Sequence, residues 1–523
     1  MITKLPNEFL SVISENNGLK QYLSNLDKGR EFTPRSWLYE HMEPDTILQN
    51  WLSELDTLQS GTSFEKEVFQ FDTSQVEKWG PQGGIAPIQD LMKEIVMPTF
   101  SDSRSPRPQA FNTPEWDLAK GTTLDNMRNN GVALLRPASY SHVVDDMRAR
   151  DTLESNSGWP LFTRRNKPEV VTAAIAAAEN GEWVDFPAIA LFRNYNQKTR
   201  LVWMFPMATN LVEGSFFQPL QSSIIKAKLQ MYTPWIGFEA VRKLVTRTYA
   251  AGKFISASDF TSTDAHFQLS STFEVFDVLR FIFQKLYSGT LRQSLERMHT
   301  IPLIVGVDKM VTGNHGVSSG SNWTNFIETV FDDILGYYVQ IKSDHNSDGL
   351  YAIGDDMAWV HDKFNDAFDS QLEKWGEEVG QVIKADKTNN YPDRVKTLQR
   401  LFQRGYSRPD GLLRGVYSTV RALKSSVYPE RFHKPNLWSS DMFCARQFMI
   451  LENCVDHPLF ERFVKFVCKG HEDLIPFARK SASELDKILR ETKLLPGFNP
   501  TYNQEKRDTS LASFESVKLA KTL

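Results

Sequence analysis

The sequence predicts an α+β fold: a central antiparallel sheet of short strands backed by helices, followed by a mainly helical C-terminal third. Three observations carry this expectation. KFISASDF (253–260) and LYAI (350–353) are short apolar runs beside acidic or glycine turns, the pattern of buried strands. Between them, NWTNFIETVFDDILGYYVQ (322–340) sets aromatic and aliphatic residues at helical spacing. Beyond about residue 420 the pattern is helical, ending in the polar segment NPTYNQEKRDTS. A strand–helix–strand centre flanked by helical regions is α+β in character.

The rest of the chain is read in order. Residues 1 to about 95 look helical, with amphipathic spacing in DTILQNWLSELDTL. SDSRSPRPQAFNTP (101–114) reads as an exposed connector. VVTAAIAAAENG (170–181) is a helix closed by a glycine signal. A length of 523 residues suits several domains or one large subdivided body. With 41% hydrophobic and 24% charged residues the composition is that of a globular protein. No stretch approaches the ~18 consecutive apolar residues that span a bilayer, and MITKLPNEFLSVISENNG lacks the apolar core of a signal peptide. Cys444, Cys454 and Cys468 cannot build a disulfide framework, which reads as cytosolic. Cys468 and His471 have no second Cys/His pair at zinc spacing and read as structural.

The net charge of −4 argues against a protein that coats nucleic acid with its whole surface, but leaves room for an enclosed basic channel. Between Arg394 and Lys424, eight basic residues stand against Asp410 alone, a net +7 over 31 residues. They alternate with Phe402, Tyr406 and Tyr417, which suits a grip on a phosphate backbone.

Chemistry concentrates in the acidic centre. In LYAIGDDMAWVHD (350–362), Gly354, Asp355 and Asp356 fall at the tight turn of a hairpin, which projects two carboxylates from a rigid element. ASDFTSTDAHF (257–267) puts Asp259 at the end of a strand, with Asp264 five residues on. Brought together, Asp259 and Asp355 would bridge two Mg²⁺ ions ~3.5–4 Å apart, as in-line phosphoryl transfer requires.

These segments resemble the ordered motifs of viral RNA-dependent RNA polymerases. DFTSTD resembles motif A and IGDD motif C. SSGSNWTNF (318–326) resembles motif B, through Ser319, Gly320 and Thr324, at intervals of about 60 and 36 residues. KADKTNN (384–390) resembles motif D, VKTLQRLFQRG (395–405) motif E, NQKTRLVW (196–203) motif F and SNSGWP (155–160) motif G. The chain looks closest to picobirnavirus polymerases, then to those of partitiviruses.

The resemblance implies a right hand in encircled form, with fingers, a palm carrying an antiparallel sheet, and a mainly helical thumb. Its parts would be a helical region bridging fingers and thumb (1–95), fingers (96–250), a palm (251–415) with an inserted fingers segment (271–310), and a thumb with a C-terminal tail (416–523). It implies template-directed RNA synthesis for a double-stranded, segmented viral genome, in the virion interior and host cytoplasm. RNA and ribonucleoside triphosphates would be its partners, with capsid protein beside them and no membrane. The metals would be Mg²⁺, with Mn²⁺ as a substitute, on Asp259, Asp355 and Asp356. Lys387 would be the acid that protonates pyrophosphate, with Lys384 as the alternative. Lys198, Arg200, Asp264, Ser319, Thr324 and Asn325 would meet the nucleotide; Ser157, Gly158, Arg193, Gly320, Arg400 and Arg404 would meet the template and primer. In one departure, Glu328 stands where the family often has the motif B asparagine, and Asn325 is the candidate substitute.

Two rivals have distinct signatures. A reverse transcriptase typically carries a bulky aromatic near Asp264 and an aromatic-X pair, rather than glycine, before the two aspartates. A non-catalytic RNA-binding or packaging protein would show no metal-dependent incorporation. The starting mode is open; the polar segment near Phe498–Tyr502, or an inserted loop, would serve as a platform for the first nucleotide.

Overall fold

The acidic turns lie on one four-stranded sheet. In the computed structural model of the protein the described residues are 1–101, 106–150, 152–495, 498 and 509–523. Up to residue 390 the strands are, in chain order, β1 (Ile2–Lys4), β2 (Ala188–Tyr195), β3 (Lys198–Met204), β4 (Phe254–Asp259), β5 (Leu303–Ile304), β6 (Lys309–Val311), β7 (Ser347–Ile353), β8 (Asp356–His361) and β9 (Asn389–Asn390). Two units are distinguished: Met1–Arg30, Ala86–Phe192 and Arg200–Val395 form the first, and Glu31–Ile85, Arg193–Thr199 and Lys396–Leu523 the second.

The acidic sheet of the first unit has the order β7-β8-β4-β9, antiparallel throughout. Small residues let β4 be covered on both faces: Ile255 through Ser258 are buried, and only Asp259 at its end opens to solvent. The buried hydroxyls are satisfied inside. Ser256 meets His361 and Asn390 at 2.8 Å, and the Trp359 indole donates to Ser258 at 2.9 Å. The Trp323–Lys342 helix packs on β7 and on the Pro114–Asn129 helix. Gly336 meets Gly349 closely enough that a Cβ on Gly336 would lie 3.3 Å from the Gly349 Cα, so helix and strand touch backbone to backbone. The predicted strand–helix–strand centre is therefore present, and its sheet is antiparallel.

A second sheet of this unit runs β1-β6-β5-β2-β3. Asn196 and Gln197, both at positive φ, turn β2 into β3, and β3 is an edge strand. The Pro168–Asn180 helix closes on left-handed Gly181, also as expected.

Three local expectations are corrected. Residues 1–95 do not start as helix, because Ile2–Lys4 pair with Lys309–Val311; three residues are too few to show a period. The 101–114 stretch is not simply an exposed connector: 102–105 lie outside the described residues, but Gln109–Asn112 form a 3-10 turn that buries Ala110 and Phe111. The polar tail is followed by a further helix, Glu515–Lys521, with Val517 and Ala520 in the core. Of the suggested starting platform, only Phe498 is described; it packs on Trp438 and His433.

The second unit is helical around a core that includes Trp51, Leu423, Phe448 and Phe463. A buried carboxylate organises it. Asp72, fully buried, accepts from the Ser418 hydroxyl at 2.6 Å, the Val420 amide at 2.9 Å, the Thr419 amide and hydroxyl, and His457 at 2.8 Å. It thereby caps the Thr419–Val427 helix from a distant segment. Asp72→Ala strands these donors in a dry interior. A loss of about 3–5 kcal/mol in the urea unfolding of this unit is expected; a loss below 1 kcal/mol would contradict the assigned role.

Candidate active site

The four-stranded sheet brings two acidic elements together. In the β4–β8 register Asp259 lies opposite Asp356, and the Phe260 amide donates to the Asp355 carbonyl at 3.4 Å. Asp259 and the Asp355–Asp356 pair thus stand side by side at the same end of neighbouring strands. The turn is set by Gly354 at φ +58°, where glycine pays no steric penalty. Its amide donates to the Thr329 hydroxyl at 2.9 Å, and that hydroxyl donates to the Asn325 carbonyl at 2.7 Å. The acidic turn is therefore stapled to the helix that follows the Ser-Gly loop. A Cβ on Gly354 would come within 2.7 Å of the Asn325 amide nitrogen.

The electrostatics are those of crowded negative charge. Asp355 and Asp264 have accessible surface, yet the protein around them desolvates both carboxyls. Burial, then the charge of Asp355, raises Asp264 to about 6, against the opposing field of Arg200. Burial and Asp259 raise Asp355, again opposed by Arg200. Beneath them lie Glu328 and Asp332, 5% and 0% exposed. Burial and neighbouring aspartates push both far above the carboxylate range. The Asp332 carboxylate has no hydrogen-bond partner on either oxygen. Glu328 is thus a buried acid under the turn, whereas Asn325 is exposed beside it. Of the two motif B candidates, Asn325 alone is accessible.

The Ser-Gly loop rests on β3. Ser319 donates to the Leu201 carbonyl at 3.2 Å. A Cβ on Gly320 would lie 1.5 Å from the Trp203 carbonyl oxygen, so no other residue fits without moving backbone. Thr324 turns inward and donates to the Ser318 carbonyl at 2.6 Å, which leaves it a loop-holding role.

Sequence reasoning missed the hub behind this loop. Glu213 accepts from Asn210 at 2.8 Å, from the Asn322 amide at 3.1 Å and from Ser321. Asn210 also donates to the Gly320 carbonyl and accepts from Arg165, and Arg165 binds the Asn156 carbonyl. Through them SNSGWP and the Ser-Gly loop share one support. Ser157 is buried and bonded to Thr163, so its hydroxyl is not offered outward, and Gly158 at φ +66° lies against the Phe205 carbonyl. The available signal was a polar Asn-x-x-Glu within the otherwise apolar MATNLVEGSFF.

Burial raises Glu213 to about 7, against the lowering effects of its donors and Arg165. A folded-state value above the unfolded one stabilises fully below about 4.5 and loses that contribution as pH rises through about 7. Glu213→Gln should therefore remove a decline in unfolding free energy of up to about 3 kcal/mol between pH 5 and 8. Parallel pH–stability curves for the two proteins would contradict this.

KADKTNN runs beside β4: Thr261 donates to the Val382 carbonyl at 2.8 Å, and β9 pairs with Ser256 and Ala257. Lys384 and Lys387 are both exposed on this segment, and burial does not choose between them.

In the second unit, one expected RNA contact is corrected and a second is held in an ion pair. Arg400, 5% exposed, donates to the carbonyls of Asn453 and Gly415 and is a structural strut. Arg193 is held in a two-pronged ion pair with Glu430 at 2.8 Å. Other members of the basic run are held by the chain's own groups: Arg408 and Arg414 pair with Asp456, and Lys424 is buried against Asn196. Lys198, Lys396 and Arg404 are the exposed cations of these segments.

A family model of the viral RNA-dependent RNA polymerases matches residues 195–411. A human picobirnavirus protein named "Potential RNA-dependent RNA polymerase" is 28% identical over 493 residues, 87% of this chain and 85% of that one. An RNA-directed RNA polymerase of Cryptosporidium parvum virus 1 is 26% identical over 203 residues, 37% and 38% of the two chains. The crystal structure of a human picobirnavirus RNA-dependent RNA polymerase superposes with a TM-score of 0.82 at 22% identity, covering 99% of this chain and 100% of that one. Its insertion-loop deletion mutant superposes equally, at 23% identity. The fold is therefore that of these right-hand polymerases.

Proposed function

We propose that the chain, which is similar to viral RNA-dependent RNA polymerases, extends RNA by two-metal nucleotidyl transfer at Asp259, Asp355 and Asp356. The pairing of Asp259 with Asp356 across β4 and β8 carries this reading. Among the described residues no group of three or more His, Cys, Asp or Glu side chains already converges as a metal cage. Mg²⁺ commonly takes one or two carboxylates and completes its shell with water and substrate phosphates, so hard oxygen donors in surplus negative charge fit it, or Mn²⁺. When bound, the ions supply an acidified 3′-hydroxyl and a neutralised triphosphate.

The chain's own groups do the rest. Arg200, whose field reaches Asp264 and Asp355, draws the triphosphate toward the aspartates. Asp264 and Asn325 read the ribose 2′-hydroxyl. Ser319 and Gly320 present the loop on which template and ribose are aligned. Lys387, or Lys384, donates a proton to the leaving pyrophosphate. Lys198 and Arg404 are the remaining exposed candidates for triphosphate and primer contacts. Positioning and electrostatic stabilisation account for most of the rate.

The genome copied would be double-stranded and segmented, replicated and transcribed in the virion interior and host cytoplasm with capsid protein nearby. The picobirnavirus and Cryptosporidium parvum virus 1 relatives support the double-stranded RNA context of this reading. No helix among the described residues is long and apolar enough to cross a membrane. Primer extension on an RNA template tests the activity: metal-dependent incorporation of rNTPs over dNTPs is expected. A preference for dNTPs would favour the reverse transcriptase, and no metal-dependent incorporation on any template the binding module.

A further inference from the structure

A cavity of about 300 Å³ opens in the second unit between Thr33–Trp37 and the Pro429–Gln447 stretch, with His433 and Trp438, on which Phe498 packs, among its lining. Its size is at the lower end of the ~300–1,000 Å³ of small-molecule sites. The walls combine Arg35, Arg431 and Arg446 with Trp37, Phe432 and Trp438, and no acidic residue is among the described lining.

The positive charge is only partly offset: the field of Glu430 reaches Arg431 and Arg446. Glu430, the adjoining carboxylate, is committed to Arg193. Arg446 spends one nitrogen on the Ser425 carbonyl, and Arg35 binds the carbonyls of Leu38, Tyr39 and Met42 while its Nε is buried without a partner. Among the described residues, neither Arg431 nor Arg446 makes an ion pair. Burial, then Arg446 and Arg431, hold His433 below its usual range.

The aromatic side is equally specific. His433 and Trp438 stack at 4.8 Å with their planes 7° apart. Phe432, at the rim, leaves 63% of its surface open. Guanidinium forks match phosphate oxygens, and flat rings accept a nucleobase of any sequence. A carboxylate ligand would use the arginines and leave the rings bare; an apolar ligand would do the reverse.

We propose that this cavity is a second, non-catalytic site for a nucleoside 5′-phosphate, with Arg431 and Arg446 on the phosphate and Phe432 and Trp438 against the base. The ligand is either a free nucleotide or the 5′-terminal nucleotide of an RNA strand, which present the same chemistry. The proposal is independent of the aspartate centre.

The test uses the full chain in EDTA, so that metal-assisted binding at the aspartates is suppressed. Tryptophan fluorescence is followed while titrating ATP, a 5′-triphosphorylated RNA pentamer and the same pentamer with a 5′-hydroxyl. The expected result is saturable binding that Arg431→Ala and Phe432→Ala each weaken about tenfold and that Asp355→Asn leaves intact. Tighter binding of the triphosphorylated pentamer than of ATP assigns the site to the RNA end; the converse assigns it to free nucleotide. Arg431 is exposed and makes no ion pair, so its variant should fold; Phe432→Ala gives an independent second variant. If both variants bind ATP and triphosphorylated RNA as the parent does, or if the two pentamers bind alike and ATP does not bind, the proposal is overturned.

Discussion

Asp355→Asn is expected to lower nucleotide incorporation by about a thousandfold while RNA binding stays essentially unchanged. The substitution keeps the size of the side chain and removes its charge. Asp355 has accessible surface and its backbone carbonyl, not its side chain, accepts the Phe260 amide, so the hairpin should survive. What is lost is the attraction for cations. Asp355 sits among Asp259, Asp264, Glu328 and Asp332, in a field that already resists its ionisation. Such a field is costly unless a cation relieves it, and neutralising one member lowers the site's affinity for that cation. Primer extension with a filter-binding control measures both quantities. A drop in RNA binding that matches the drop in synthesis would reassign Asp355 to an RNA-binding role.

Gly320→Ala carries the second large effect. The added methyl would fall 1.5 Å from the Trp203 carbonyl oxygen, a backbone atom that cannot rotate away. The loop must lift off β3, and Ser319 then loses its bond to Leu201. Stability should fall by about 1–3 kcal/mol. Synthesis should fall about a hundredfold, because displacement of a positioning loop by about an ångström costs that much. Thermal melting and single-turnover incorporation separate the two effects. A variant that melts as the parent does and retains full rate would show that the loop is not held where the geometry places it.

The strand–helix–strand centre was legible because its signals are local. Asp259 ends an apolar strand, Gly354 supplies the left-handed turn before two aspartates, and the helix between them repeats its apolar face over twenty residues. Charge and pattern were not enough where burial decides. Arg400 and Lys424 count as cations in the sequence, but the chain folds them inside, onto carbonyls and an asparagine. Arg193 is paired with Glu430, 237 residues away. The Arg165–Asn210–Glu213 hub joins segments more than a hundred residues apart at Gly320, Ser321 and Asn322, a distance over which one sequence carries no pairing signal. The place of Glu328 was open for a related reason. Only the close approach of the Gly354 turn to the motif B helix shows it lying under the turn, with Asn325 beside it.

The central claim is that Asp259 and Asp355 together hold the ions of nucleotidyl transfer. The most direct measurement is a crystal structure with RNA, Mn²⁺ and a non-hydrolysable ribonucleoside triphosphate, the ions located by anomalous scattering. Two Mn²⁺ about 3.5–4 Å apart are expected, both contacted by the Asp259 and Asp355 carboxylates and by triphosphate oxygens. Mn²⁺ bound with nucleotide away from these two side chains would contradict it.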